Sequence, residues 1–171
     1  MIFVSGIHGV GKSYFCDKVK EQLGIISYSA SDLITEKKKS GFSKDKLIPD
    51  IEDNQVYLKS AIEELKASSK NFILDGHFCL YDASGNITRI SLSTFTDLSP
   101  DAIVLLTENP QIICDRRKSR DNIIEDPNKI ERFQEEEILY AQEVAQLLQC
   151  KLFVSKGADH ISNAISFLGG L

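Results

Sequence analysis

Eight residues near the start of the chain constrain its fold more than any other feature: Gly6-Ile7-His8-Gly9-Val10-Gly11-Lys12-Ser13, the pattern G-x-x-x-x-G-K-S. The octet follows the apolar run Ile2-Phe3-Val4 and precedes a helix-like stretch that ends near Leu23. Glycines allow a tight turn that directs successive N–H groups into one concavity, and the following helix adds the positive end of its dipole. The sequence therefore predicts a phosphate-binding loop (P-loop), with the lysine on the phosphates and the serine hydroxyl on Mg²⁺.

Apolar runs that alternate with helical patterns predict the rest of the fold. The predicted strands are Ile2–Ser5, Ile25–Ser29, Phe72–Asp75, Ala102–Leu106 and Leu152–Ser155. The predicted helices are Gly11–Leu23, Ser31–Lys39, Pro49–Ser68, Ser93–Asp97, Asn109–Arg117, Asn128–Leu148 and Ile161–Leu168, with a polar loop at Lys118–Pro127. A hairpin is predicted at 78–90 around the turn Asp82–Asn86, and the Glu135–Glu137 run is interpreted as a solvated face. The pattern indicates one α/β domain with a parallel sheet between helices, and ligands bind such sheets beyond the carboxyl ends of the strands.

Two further features point to phosphoryl-transfer chemistry. Asp75 ends the buried strand Phe72–Asp75, where an acid beside a P-loop holds Mg²⁺. Four of the five arginines fall between Asp115 and Arg132, and a mobile segment rich in arginine can close over phosphates and stabilise their charge. The alternative is that these arginines form surface ion pairs with neighbouring acids.

Four segments carry a resemblance to nucleotide kinases of the P-loop superfamily, in a layout similar to archaeal-type adenylate kinases and their uncharacterised relatives. These segments are Gly6–Ser13, Leu74-Asp75-Gly76-His77, Ser99–Val104 and Arg116–Asp121. The resemblance implies a three-layer fold with a five-stranded parallel sheet in the order 2-3-1-4-5, spanning residues 1–171. It also implies an acceptor-binding segment at about 31–70 and an arginine-rich lid at about 116–132. The implied activity is transfer of the ATP γ-phosphate to a nucleoside monophosphate.

The expected site follows from these features. ATP is assigned to Gly6, His8, Gly9, Val10, Gly11, Lys12, Ser13, Tyr14 and Arg116, and Mg²⁺ to Ser13 and Asp75. Catalytic roles are assigned to Lys12, Arg116, Arg120 and Asp32, and acceptor binding to Asp32, Asn54, Gln55 and His77.

One difference from the nucleotide kinases leaves the identity of the phosphate acceptor undecided. No arginine lies between Ile25 and Arg89, and the segment offers Lys37, Lys38, Lys39, Lys44 and Lys46, which can equally form an exposed helix face. Asp32 can cap a helix or act as a base toward a hydroxyl acceptor, which a phosphate acceptor does not need. A kinase of a small metabolite or of a nucleic-acid 5′ end is therefore the alternative, and an ATP-binding switch module is a third possibility.

Composition limits the partners. The net charge of −5 over 171 residues argues against broad nucleic-acid binding, although a local basic channel stays open. No apolar run reaches membrane-spanning length and no signal peptide is evident. The four cysteines form no C-x-x-C pair, which favours reduced thiols in a cytoplasmic protein. We expect only ATP and a small phosphate or hydroxyl acceptor as partners, and nothing in the sequence indicates a particular oligomeric state.

Overall fold

A central parallel sheet organises the protein in the computed structural model, which describes residues 1–39, 51–68 and 71–171. The strands are β1 (Ile2–Ser5), β2 (Ile26–Ser29), β3 (Phe72–Gly76), β4 (Cys79–Tyr81), β5 (Ile87–Arg89), β6 (Ala102–Thr107) and β7 (Lys151–Lys156). Five of them pair in parallel in the order β2-β3-β1-β6-β7, and β4 and β5 form a separate antiparallel hairpin. The predicted fold class, the strand order and the hairpin are therefore confirmed.

Helices flank this sheet. They are α1 (Lys12–Leu23), α2 (Ala30–Lys39), α3 (Ile51–Ser68), α4 (Leu92–Leu98), α5 (Pro110–Asp121), α6 (Pro127–Leu148) and α7 (Ile161–Gly169), with a 3₁₀ turn at Ala158–His160. Helices α1 and α7 pack together, while α6 contacts β6, β7 and the hairpin. Among the described residues, no helix combines the length and apolar character that crossing a bilayer requires. The predicted start of α3 at Pro49, the helix break at 40–43, Lys44 and Lys46 lie outside the described residues.

The predicted loop after α5 was wrong in extent. The sequence analysis ended this helix near Arg117, but it continues to Asp121, so only residues 122–126 connect it to α6. Asn122 then stops the helix in the left-handed conformation (φ 55°), and its N–H bonds back to carbonyls of α5. Asp126 accepts a hydrogen bond from the Asn128 N–H at 2.9 Å and starts α6 at once. Residues 116–121 of the predicted mobile lid therefore lie on a regular helix.

The register of the sheet brings the functional strand ends together. Val4 of β1 pairs with Asp75 of β3 on one side and with Val104 of β6 on the other, and Ser29 of β2 pairs with Asp75. Strands β1 and β6 are buried almost throughout, as expected for central strands covered on both faces. The carboxyl ends of β1, β2, β3 and β6 consequently open onto the same edge.

Candidate active site

The P-loop leaves β1 through a turn that only glycine can adopt. Gly6 has φ +145°, and a Cβ atom placed there would lie 2.5 Å from the Leu106 carbonyl oxygen. At the other end, Gly11 (φ +111°) precedes the first residue of α1, Lys12. The first-turn N–H groups of a helix have no intrahelical partners, so the start of α1 offers donors to an anion. The local geometry is that of a phosphate cradle.

Two consecutive arginines of α5 hold this loop from outside. Arg117 Nε donates a hydrogen bond to the His8 carbonyl oxygen at 2.8 Å, and Arg116 Nη1 donates to the Val10 carbonyl oxygen at 2.9 Å. Arg117 is buried and also pairs with Glu125, which follows α5. Because these cations engage carbonyl oxygens, they stabilise the curved backbone of the loop. Arg117, to which the sequence assigned no site role, thus makes the more buried contact of the two arginines.

Lys12 lies at the centre of the site. Its Nζ donates to the Gly6 carbonyl oxygen at 2.6 Å and lies 3.2 Å from His77 Nε2 and 3.8 Å from Asp75 Oδ1. Burial lowers the pKa of Lys12, and the Asp75 carboxylate partly opposes that effect. Burial, followed by the charge of Lys12, lowers the pKa of His77 to about 2. His77 is therefore neutral, and since an ammonium can only donate, Nε2 accepts from Lys12 and Nδ1 carries the proton.

Asp75 and Ser13 fit the Mg²⁺ assignment. Burial raises the pKa of Asp75, the charge of Lys12 lowers it, and the nearby Asp32 raises it. A bound divalent cation would therefore stabilise the ionised form of this carboxyl group. Ser13, at the start of α1, exposes its side chain to the same cavity. No group of three or more His, Cys, Asp or Glu side chains with metal-site geometry occurs in the described ranges. Two protein oxygens suit Mg²⁺, which keeps most of its shell as water and phosphate oxygens.

One cavity of about 1060 Å³ joins all these groups. On the nucleotide side it is lined by the P-loop, Tyr14, Thr107, Glu108, Arg116, Arg120, Gly157 and Ala158; on the other side, by Ser29, Ser31, Ile34, Asn54, Gln55, Leu58, Asp75, His77, Leu80, Ile90, Thr94 and Phe95. Asn54, Gln55 and His77, which the sequence assigns to the acceptor, line the same cavity as the P-loop, and we call the second of these two groups of lining residues the acceptor wall. The hairpin contributes to the same wall through Leu80.

His8 and Arg120 hold peripheral positions in this cavity. The His8 ring packs against the His77 ring in a tilted arrangement with centroids 4.5 Å apart, and burial lowers the pKa of His8. Arg120 is 65% exposed at its side chain and pairs with Asp121, its neighbour on α5. In this structure Arg120 therefore has the surface ion pair that the sequence analysis weighed as the alternative.

Asp32 lies outside the described cavity lining. Its side chain is exposed in the first turn of α2, which starts at Ala30, directly after β2. The Ser29 hydroxyl accepts a hydrogen bond from the Asp32 N–H at 3.4 Å, so Ser29 holds the capping position and Asp32, the predicted cap, lies inside the helix. The predicted cap was wrong because the helix begins earlier than expected. Asp32 still lies near enough to Asp75 to raise its pKa.

Glu137 is a buried polar residue beside the site that sequence reasoning missed. The Glu135–Glu137 run was interpreted as solvated, but the Glu137 side chain is only 1% exposed and accepts hydrogen bonds from Ser5, Phe78 and Cys79. A signal was present in the spacing. The buried residues of α6 are Ile130, Phe133, Gln134, Glu137, Tyr140, Ala141, Val144 and Ala145, and Glu137 falls within this helical stripe.

Comparisons with known proteins agree with the fold. A solved gluconokinase from Sinorhizobium meliloti superposes with a TM-score of 0.52 at 16% identity, covering 96% of this chain and 86% of that one. A sugar kinase from a Janibacter species gives 0.59 at 14% identity, covering 98% and 93%. An uncharacterized protein from Eubacterium ventriosum gives 0.53 at 12% identity, covering 99% and 95%.

These similarities show a fold of the P-loop kinase type, and the expected likeness to archaeal-type adenylate kinases is not confirmed by them. A family model described as an AAA domain matches residues 5–134, which include the P-loop, Asp75 and both arginines of α5 that hold the loop. The chain therefore belongs to the AAA domain family.

Proposed function

We propose that this protein is an ATP-dependent kinase that transfers the γ-phosphate to a hydroxyl group of a small, polar metabolite. The observation that carries this proposal is the character of the acceptor wall. Among the described residues, that wall combines neutral polar side chains, apolar side chains and one acid, Asp75, without a lysine or arginine. Lys37, Lys38 and Lys39 belong to α2 but do not line the cavity.

An acceptor that carries a phosphate group would require cationic side chains in the acceptor wall. Proteins bind phosphate groups with arginine forks or lysine ammonium groups, since the dianion is expensive to desolvate without a cation. A hydroxyl acceptor needs hydrogen-bond partners, which Asn54, Gln55 and His77 supply. The gluconokinase and the sugar kinase among the similar folds support this choice, because the names of both indicate sugar-like acceptors. A nucleoside monophosphate is the competing acceptor.

The residues of the chain divide the work of phosphoryl transfer. The P-loop backbone and Lys12 hold the phosphates in position, and positioning with charge stabilisation supplies most of the catalysis in this reaction class. Ser13 and Asp75 would hold Mg²⁺, which would supply Lewis-acid polarisation of the phosphate oxygens. Arg116 adds positive charge beside the loop. Arg120, on the next turn of α5, reaches the phosphates only if it leaves Asp121.

Asp32 is the proposed base. Asp75 would hold the metal, and His77 directs its Nε2 lone pair at Lys12, so neither would be free to take a proton from a hydroxyl. Asp32 lies beside Asp75 at the acceptor end of β2. For Asp32 to act as a base, a movement of α2 or the position of the bound acceptor must bring its carboxylate within hydrogen-bond reach of the acceptor hydroxyl.

The test measures ADP release with a panel of acceptors: neutral sugars, polyols, sugar acids and the nucleoside monophosphates, with ³¹P NMR of the product. We expect a sugar-like hydroxyl compound to be turned over at least tenfold faster than any nucleoside monophosphate. The Asp32→Asn variant should then lose kcat with little change in the acceptor KM, while the exposed Glu36→Gln on the same helix keeps both. Transfer to a nucleoside monophosphate with Asp32→Asn fully active would refute the proposal. ATP binding without transfer to any acceptor would favour a switch module.

A further inference from the structure

Two polar side chains on the buried face of α6, which we call the α6 polar pair, contact the main chain around the site. They are Gln134 and Glu137, one helical turn apart. Glu137 Oε2 accepts a hydrogen bond from the Ser5 hydroxyl at 2.6 Å, and Oε1 accepts the N–H groups of Phe78 and Cys79 at 2.9 and 2.8 Å. One carboxylate thus links the end of β1 to the segment that follows β3.

Gln134 makes the matching contact on the nucleotide side. Its Oε1 accepts the Glu108 N–H at 2.9 Å, and its Nε2 donates to the Glu108 carbonyl oxygen at the same distance. The Glu108 carboxylate in turn holds Arg116 Nη2 at 3.1 Å, and the other nitrogen of that guanidinium holds the Val10 carbonyl oxygen. A continuous set of hydrogen bonds therefore runs from α6 through Glu108 to the outer side of the P-loop.

The segments held by Glu137 lie directly beside the reacting groups. Ser5 immediately precedes Gly6, the first residue of the P-loop, and Phe78 immediately follows His77, which contacts Lys12. Glu137 therefore sets the separation between the loop that carries Lys12 and the wall that carries His77. Its negative charge also acts on Lys12, because it raises the pKa of that ammonium.

Packing alone does not account for a carboxylate in this place. Burial raises the pKa of Glu137 even though the hydroxyl and the two N–H donors oppose the effect, so the charged form is costly here. The other large residues of the stripe, such as Ile130 and Phe133, fill the same helix face with apolar groups. An apolar residue at position 137 would leave the Ser5 hydroxyl and the Phe78 and Cys79 N–H groups without this acceptor, so the carboxyl group serves to hold the two segments together.

We propose that the α6 polar pair positions the active site: Glu137 fixes the P-loop against the His77 wall and controls turnover, while Gln134 fixes Glu108 and Arg116 and controls ATP affinity. Both are positioning residues, since neither lines the cavity. The inference rests on the kinase-type phosphate site of the proposed function, but it is independent of the acceptor.

The first variant isolates the charge. Glu137→Gln keeps an oxygen for the Phe78 and Cys79 N–H groups but turns an N–H toward Ser5 and removes the carboxylate. We expect kcat to fall about tenfold, because small displacements of reacting groups have effects of this order or larger, while the ATP KM changes less than about threefold. Gln134→Met, of similar volume, should raise the ATP KM about fivefold with kcat nearly unchanged. Glu136→Gln, next to Glu137 and paired with Arg89, is the matched control and should alter neither.

Acceptor-independent ATP hydrolysis is measured beside transfer, so an incorrect acceptor assignment leaves this test intact. Should Glu137→Gln fail to fold, Ser5→Ala replaces it, because it removes a single donor and should lower kcat about threefold. A crystal structure of the folded variant should show Lys12 Nζ and His77 Nε2 farther apart than 3.2 Å. Lower melting temperatures with parental kcat and KM, or equal changes in both parameters for both variants, would overturn the proposal.

Discussion

Replacing Arg117 with methionine tests how firmly α5 holds the P-loop. The arginine side chain is 9% exposed, its Nε donates to the His8 carbonyl oxygen at 2.8 Å, and its Nη1 pairs with Glu125. Methionine keeps most of the apolar stem but has no donor. In this variant, neither the His8 carbonyl oxygen nor the Glu125 carboxylate has its cationic partner.

The expected loss of stability follows from these two contacts. A hydrogen bond to a charged group is worth about 1.5–3 kcal/mol, and breaking a buried ion pair costs about 3–5 kcal/mol. Glu125 keeps 17% exposure and recovers some hydration, so the two terms are not added in full. We expect the free energy of unfolding to fall by about 3 kcal/mol, which corresponds to a melting temperature roughly 6–12 °C lower for a chain of this size.

The matched control is Arg120→Met, one turn along the same helix. Its side chain is 65% exposed and pairs with Asp121, so its loss should cost at most about 0.5 kcal/mol. Urea unfolding followed by circular dichroism, without nucleotide, measures both variants, and calorimetry with Mg·ATP then reports whether the loosened loop binds more weakly. Equal destabilisation by the two variants, or an Arg117→Met variant as stable as the parent, would refute the reasoning.

Three other predictions concern the same site. Lys12→Met should weaken Mg·ATP binding more than about 100-fold in calorimetry, since a charge-assisted contact is lost in a cradle built for anions, yet it should not lower apo stability because burial already disfavours the ammonium. The folded-state pKa of His77, about 2 against an ordinary 6.5, means that the unfolded chain binds more protons between these values. Stability from this group is complete above pH 6.5 and lost on acidification, by up to about 2 kcal/mol at pH 5, so the apo His77→Gln variant should show a flatter stability profile in that window. Gly76→Ala would place a Cβ atom 2.8 Å from Phe3 Cε2 and should cost about 1–3 kcal/mol in urea unfolding, whereas a parental value would show that the Phe3 ring yields freely.

The sequence predicted the sheet well because its signals are local. The P-loop pattern anchors β1, and uninterrupted apolar runs such as Ile103–Leu106 identify strands that are buried on both faces. The hairpin was predicted equally well, because its turn is stabilised locally: Asp82 accepts hydrogen bonds from the N–H groups of Ser84 and Asn86. The strand order came from family resemblance, and the observed sheet confirms it.

Long-range contacts explain what the sequence did not predict. The polar stretch Lys118–Pro127 suggested a loop, but α5 continues to Asp121, and its Arg117 contacts the P-loop 109 positions away in the chain. Glu137 was assigned to solvent because charged residues usually lie there, although its partner Ser5 is 132 positions distant. No local pattern encodes such a partner. The helical stripe of α6 indicated that position 137 is buried, without indicating what it would contact.

The grip of α5 on the phosphate loop has a mechanical consequence. Arg116 and Arg117 are adjacent, and their guanidinium groups contact the Val10 and His8 carbonyl oxygens of the loop, so the helix cannot tilt outward without pulling on that backbone. Under the proposed function, release of the nucleotide product and movement of α5 would then be coupled. In that case, breaking these carbonyl contacts would limit the rate at which ADP is exchanged for ATP. Viscosity and temperature could then alter this rate independently of the phosphoryl-transfer step.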